Sequence, residues 1–251
     1  MKKNKILFTM IFTIVSLPIV AETYTMEIGQ FEKMKINGNL QVIYKNLPDS
    51  TGFARYEAPA GSKDLFEITV KDNGSLKASP GDDQWSNDNL PVLYLYSNFL
   101  TSVESFSDKE VSLLNLAPCA SLNITLVGNG TLSADGIQCN NVSASLSTGN
   151  GSIYLSGTAV NANYKMVGTG LISADQLQAD NVKCRILGTG SIGCWPIDNL
   201  NVVGLGSTKI YYKGSPNIKK TGGGKLFQLP GEETKKVGTE IRSFNREEKD
   251  E

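Results

Sequence analysis

Five Gly-x-Gly turns recur through the second half of this chain: Gly128-Asn129-Gly130, Gly149-Asn150-Gly151, Gly168-Thr169-Gly170, Gly188-Thr189-Gly190 and Gly204-Leu205-Gly206. Their first glycines stand 21, 19, 20 and 16 residues apart. Ahead of each turn runs an alternating apolar strand: Leu122, Ile124, Leu126; Val142, Ala144, Leu146; Ala162, Tyr164, Met166; Val182, Cys184, Ile186; and Leu200, Val202. Period-two alternation buries one face of a strand and leaves the other wet. Two residues beyond each second glycine comes a further inward candidate, Leu132, Ile153, Ile172, Ile192 and Thr208. Thr148 is an extra residue between strand and turn, as in a local bulge.

A segment of ~20 residues that repeats its buried positions cannot cover its own apolar face, and stacking successive copies does so. The sequence therefore predicts an all-β fold, a right-handed parallel β-solenoid or β-helix-like stack of ~20-residue coils with an irregular β cap at its N-terminal end. Glycine suits the corners because it reaches positive φ without strain and lets coils approach closely. No stretch carries a capped 3.6-residue apolar period, so little helix is expected.

The chain divides into three parts. Residues 1–21 combine Lys2, Lys3 and Lys5 with an apolar run from Ile6 to Val20, the pattern of a secretory signal peptide. Residues 22–229 read as one elongated β domain, with a cap and first coils over 22–110 and the glycine-turn coils over 111–229. Within the cap, Asn37-Gly38 and Asn73-Gly74 sit between alternating runs and predict hairpins, and Ser79 to Pro91 reads as a loop. Residues 230–251 hold 12 charged residues in 22 and read as a disordered tail. No later stretch approaches the ~20 apolar residues of a membrane-spanning helix, so no membrane span is expected after signal removal.

The functions excluded are as informative. The signal segment removes three of the 24 basic residues and none of the 25 acidic ones, leaving a net charge near −4 and arguing against nucleic acid as a partner. The chain contains no histidine, so Ser-His-Asp and Cys-His nucleophiles and imidazole metal sites are out of reach. Gly188-Thr189-Gly190-Ser191-Ile192-Gly193 matches a dinucleotide fingerprint in form, yet Cys194-Trp195-Pro196 is a poor helix start and the other four turns lack the third glycine. No cofactor is implied.

Phe31-Glu-Lys-Met-Lys-Ile-Asn-Gly38, the repeated Gly-[Asn/Thr]-Gly turns and the closing Tyr211-Tyr-Lys-Gly-Ser-Pro-Asn-Ile-Lys-Lys220 together resemble the putative auto-transporter adhesin, head GIN domain family over roughly residues 31–226. That resemblance implies a solenoid-like domain of secreted or envelope proteins, common in Bacteroidetes, with adhesion as its proposed role and no catalytic residues to carry over. The chain departs from the family in placing Asn129, Asn150, Thr169, Thr189 and Leu205 between the glycines, where Ser is common.

Two constellations remain. Cys119 and Cys139 precede Leu122 and Val142 by the same three positions, so in-register stacking brings their Cα atoms to roughly 5 Å, within disulfide range; the alternative is a pair of small buried thiols. Cys184 falls on an inward position and Cys194 after a turn, with nothing in the spacing to pair them. Five residues beyond each second glycine stand Asp135, Ser156, Asp175, Trp195 and Tyr211. In register, these form one outer column whose Trp195 and Tyr211 offer a ladder for sugar rings, or else its aspartates cap turns and its aromatics shield the core. Asp135 and Asp175, two coils or roughly 9.6 Å apart, are spaced near the upper limit for an inverting glycosidase pair, but no basic residue or third carboxylate accompanies them. The expectation is a non-catalytic binding or adhesion module of the periplasm, outer-membrane surface or extracellular space. Its partner is a glycan or an envelope or host surface component. A polysaccharide lyase or glycosidase on a β-helix and a structural envelope component are the alternatives.

Overall fold

The computed structural model describes residues 21–62 and 64–230. The stretch expected to be a signal segment, apart from Ala21, and the charged tail, apart from Pro230, lie outside the described residues. Strands begin with β1 (Ala21–Glu27), β2 (Lys33–Asn37), β3 (Val42–Lys45), β4 (Phe53–Pro59), β5 (Phe66–Val70), β6 (Ser75–Pro80), β7 (Leu93–Tyr96), β8 (Ser102–Phe106) and β9 (Glu110–Leu114). They continue with β10 (Cys119–Val127), β11 (Thr131–Ser147), β12 (Ser152–Gly168), β13 (Leu171–Gly188), β14 (Ser191–Leu205), β15 (Lys209–Tyr212), β16 (Asn217–Gly222) and β17 (Lys225–Gln228). Helical turns among the described residues are confined to the short 3-10 segments Pro48–Ser50 and Asp82–Gln84.

The long strands β11 to β14 each bend around the molecule and supply both of its walls, and the whole is a parallel β-solenoid of about six turns. The first wall runs β1, β4, β7, β3, β9, the leading halves of β11 to β14, then β15 and β17. The second runs β5, β6, β2, β8, β10, the trailing halves of β11 to β14, then β16. Between the walls stands the core. Leu132, Ile153, Ile172, Ile192 and Ile210 form one inward column, and Leu122, Val142, Ala162, Val182 and Leu200 face them from the other wall, all buried. Each Leu or Ile so buried contributes about 1.5–3 kcal/mol against its exposed state, which is why the same apolar phase must recur in every coil.

The two ends differ. Among the described residues antiparallel pairing is confined to β1 with β4, β4 with β7 and β5 with β6, all at the N-terminal end, where they close the stack. Asn73-Gly74 makes the expected hairpin between β5 and β6. Asn37-Gly38 does not: β2 and β3 belong to different walls and pair in parallel with other coils, so Gly38, at φ +72°, turns a corner. At the opposite end β16 and β17 are edge strands, with Ile218 41% and Phe227 39% exposed.

The corners explain the glycine pairs. Gly149 has φ +79° and Gly151 donates its N–H to the Gly128 carbonyl at 3.1 Å, while Leu171 donates to the Gly151 carbonyl at 3.0 Å. The first glycine of a pair thus supplies a left-handed bend, and the second lets two coils hydrogen-bond backbone to backbone with no Cβ between them. The extra Thr148 takes up its own left-handed bend at φ +61°.

The last turn is phased differently from its sequence appearance. Gly204 aligns with Ile186 in an inward column, and Gly206, at φ +102°, lies against the Gly188 carbonyl. Thr208 therefore stands level with Gly190, and Ile210, not Thr208, fills the inward column. The cause is a coil two residues shorter: on the narrow side of the stack β14 skips the three positions opposite Asp175 to Leu177 and regains one between Pro196 and Asn199.

Candidate functional site

Three sets of side chains among the described residues bear on what the molecule could do. On the narrow side, Ser156 Oγ donates to Asp135 Oδ1 at 3.0 Å, so these two neighbours do stack. Asp175 accepts from Ser173 Oγ at 2.8 Å and pairs with Lys213, whose Nζ is 3.6 Å from Oδ2. The same ammonium lies 4.9 Å from the Trp195 ring centroid. The expected outer column is thus broken into two contacts, Asp135 with Ser156 and Lys213 with both Asp175 and Trp195, because Ser156 faces Gln176 and not Asp175 in backbone register. Tyr211 falls out of it, because the shortened coil shifts the count by two; it is level with Gly193 and stacks on Phe227 with ring centroids 5.1 Å apart. Trp195 pairs through its backbone with Gln178 and is capped by Lys213. No continuous Trp195–Tyr211 ladder is present, and both aspartates are engaged by neighbouring side chains, as turn-bracing residues are.

The cysteines separate cleanly. Cys119 and Cys139 are paired in register between β10 and β11, with Cα atoms 4.8 Å apart, and are joined by a disulfide. Cys184 and Cys194 are free thiols inside the core, one on each wall. The Cys184 thiol is pushed well above its ordinary value by its hydrogen bond with Cys194 and by burial. The Tyr164 hydroxyl, wholly buried above Cys184, has no hydrogen-bond partner, and burial raises its pKa well beyond the tyrosine range. These groups are shut off from solvent. Among the described residues no cluster of three metal-ligating side chains occurs. Gly188-Thr189-Gly190 is a coil corner, and Gly193 lies buried within β14, where a dinucleotide fold requires a helix.

The third set lies on the surface and is not predicted by the apolar period. Asn141, Asn161, Asn181, Asn199 and Asn217 occupy one register column where the narrow side meets the second wall. Asn161 Nδ2 donates to Asn141 Oδ1 at 3.1 Å, Asn181 to Asn161 at 3.2 Å and Asn199 to Asn181 at 2.8 Å. An asparagine just ahead of each apolar strand, at separations of 20, 20 and 18, was the signal available. Beside this ladder a groove of about 590 Å³ runs across four coils, lined by Asn161, Asn163, Asn181, Lys183, Asn201 and Lys219 among others.

A family model described as "putative auto-transporter adhesin, head GIN domain" matches residues 30–216. Among solved structures, that of a "putative adhesin" from Bacteroides fragilis is similar at 22% identity and a TM-score of 0.73, covering 84% of this chain and 97% of its own. A "putative adhesin" from Parabacteroides merdae follows at 20% identity and TM-score 0.62, covering 84% and 96%. A "putative lipid binding protein" from Parabacteroides distasonis has 22% identity, TM-score 0.61 and coverage of 84% and 97%. At such identity these likenesses show the shared fold. Comparison with curated proteins finds no match. No helix among the described residues is long and apolar enough to cross a membrane.

Proposed function

Since the chain belongs to the auto-transporter adhesin head GIN domain family, matched over residues 30–216, we propose that it is an exported, non-catalytic adhesion module whose solenoid walls bind glycans or other surface components outside the cytoplasm. The observation that carries this reading is the in-register repetition of outward side chains, seen most directly in the Asn141–Asn161–Asn181–Asn199 ladder. Identical groups set one strand spacing apart, about 4.8 Å, meet a repetitive partner at several points, and weak contacts add by multivalency. The carboxylates that a glycosidase would need free are held, Asp135 by Ser156 and Asp175 by Ser173 and Lys213. The Lys-rich start and apolar run of residues 1–21 support export.

A glycan array probed with the purified protein, run beside reducing-end release on the same glycans, tests this. Binding without release is the expected result. New reducing ends that disappear in Asp135→Asn or Asp175→Asn would replace it with a carbohydrate-active enzyme, and silence in both assays would leave a structural envelope component.

A further inference from the structure

The second wall combines a groove, an unpaired set of cations and a charge period. Asn163, Lys183, Asn201 and Lys219 follow one another in a single outward column, coil by coil. Amide and ammonium alternate, so the two ammonium groups stand two coils apart, about 9.6 Å. Lys165 and Arg185 lie on adjacent coils in the next outward column. Outward positions of this wall from β10 to β16 hold no carboxylate, although the chain as a whole carries a formal charge of −1. None of the four cations takes part in an ion pair among the described residues, where pairs are confined to Lys33–Glu32, Lys35–Glu104 and Lys213–Asp175. The carboxylates of β13 and β14 nearest to it, Asp180 and Asp198, precede Asn181 and Asn199 on the narrow side, with the Asn ladder between them and the lysine column.

Resting on the adhesion reading, we infer that this groove binds an acidic polysaccharide built of disaccharide repeats in which a charged sugar alternates with a neutral one. Such a chain laid along the stack axis meets Lys183 and Lys219 with its carboxylates or sulfates, and meets Asn163 and Asn201 with the hydroxyls or amides of its neutral sugars. Neither Asn163 nor Asn201 spends its side-chain amide on a protein partner, so both donors and the acceptor remain open. The ladder beside them holds the groove edge rigid before any ligand arrives, which reduces the ordering cost of binding. A nucleic acid fits less well: the wall offers no aromatic ring among the groove-lining residues, and single strands are held chiefly by base stacking.

The test uses immobilised hyaluronan, which alternates glucuronate with a neutral amino sugar, against dextran and a single-stranded oligonucleotide. The parent protein, the Lys183→Gln/Lys219→Gln variant and the Lys209→Gln/Lys225→Gln variant are compared by biolayer interferometry. The last is charge-matched and alters the first wall. Expected are hyaluronan binding that weakens as salt is raised, an affinity loss of about tenfold in Lys183→Gln/Lys219→Gln, and little change in the other variant. Equal losses in the two variants, equal capture of the oligonucleotide, or no hyaluronan binding by a parent that still binds other array glycans would each overturn the site while leaving the adhesion reading in place. A parent that binds no glycan of any kind defeats both.

Discussion

Asp175 and Lys213 meet across two coils at 3.6 Å, on a side of the molecule where both side chains are largely covered. Because Lys213 also lies over the Trp195 ring, one ammonium ties together β13, β14 and the segment after β15. Cutting Lys213 back to Met keeps its aliphatic stem but removes the ion pair and the cation–π contact. A loss of about 1 kcal/mol is expected, read as a lowered thermal midpoint. Lys213→Arg should recover most of it, and a Lys213→Met protein as stable as the parent would show that the contact is incidental.

The corner glycines separate two physical roles. Gly136 sits at φ +70° with open space around it, so Gly136→Ala meets only the backbone strain of a left-handed residue, about 1–2 kcal/mol. Gly170 has an ordinary φ, but a methyl group there runs into the Gly151 carbonyl and the Leu146 side chain. Gly170→Ala should therefore force two coils apart and cost about 3 kcal/mol. Denaturant melts of the two variants give the comparison, and a Gly136→Ala that costs more than Gly170→Ala would reverse the assignment.

Much of this was legible in the sequence because a stack repeats itself. Leu132, Ile153, Ile172 and Ile192 could be aligned by phase alone, and in-register Cys119 and Cys139 follow from the same arithmetic. The phase failed where a coil changed length. Gly204-Leu205-Gly206 looks like another copy of the turn, yet Gly204 is a core position and Gly206 is the corner, so Thr208 and Tyr211 were misplaced by two. Single-chain periodicity has no means of detecting a deletion that is absorbed elsewhere, here opposite Asp175 to Leu177. Asn37-Gly38 reads as a hairpin yet forms a corner, because both structures use the same positive φ at the glycine. The Asn ladder is invisible to the apolar period because its side chains are polar and stand just ahead of the alternating core positions.

The four cysteines should behave as two classes. Replacing Cys119 and Cys139 together by Ala removes a cross-link between strands 20 residues apart in sequence and should lower stability by about 3 kcal/mol. The parent protein, with its disulfide intact, should show no thiol reactive to a water-soluble disulfide reagent while folded, and two after denaturation without reductant, from Cys184 and Cys194. Thiols that react at the free-cysteine rate in the folded protein would mean that the core opens between the walls.

Asp180 carries a pH dependence of unusual sign. Its pKa is raised above the ordinary carboxylate value, first by partial burial and then by the neighbouring charge of Asp198. The folded chain therefore holds this proton more tightly than the unfolded chain does. The favourable contribution is complete below the unfolded value, near 3.9, and is lost as pH climbs through the raised folded value. The charged form of Asp180 is disfavoured by its partial burial and by the Asp198 charge beside it. Asp180→Asn should consequently melt at a higher temperature than the parent at neutral pH, and this advantage should shrink toward zero at about pH 3, where Asp180 is protonated in both states. Asp198→Asn should reproduce part of the gain by removing the second of the two causes. Thermal melts of parent and variants at the two pH values decide it, and an Asp180→Asn protein less stable than its parent at neutral pH would contradict the repulsion.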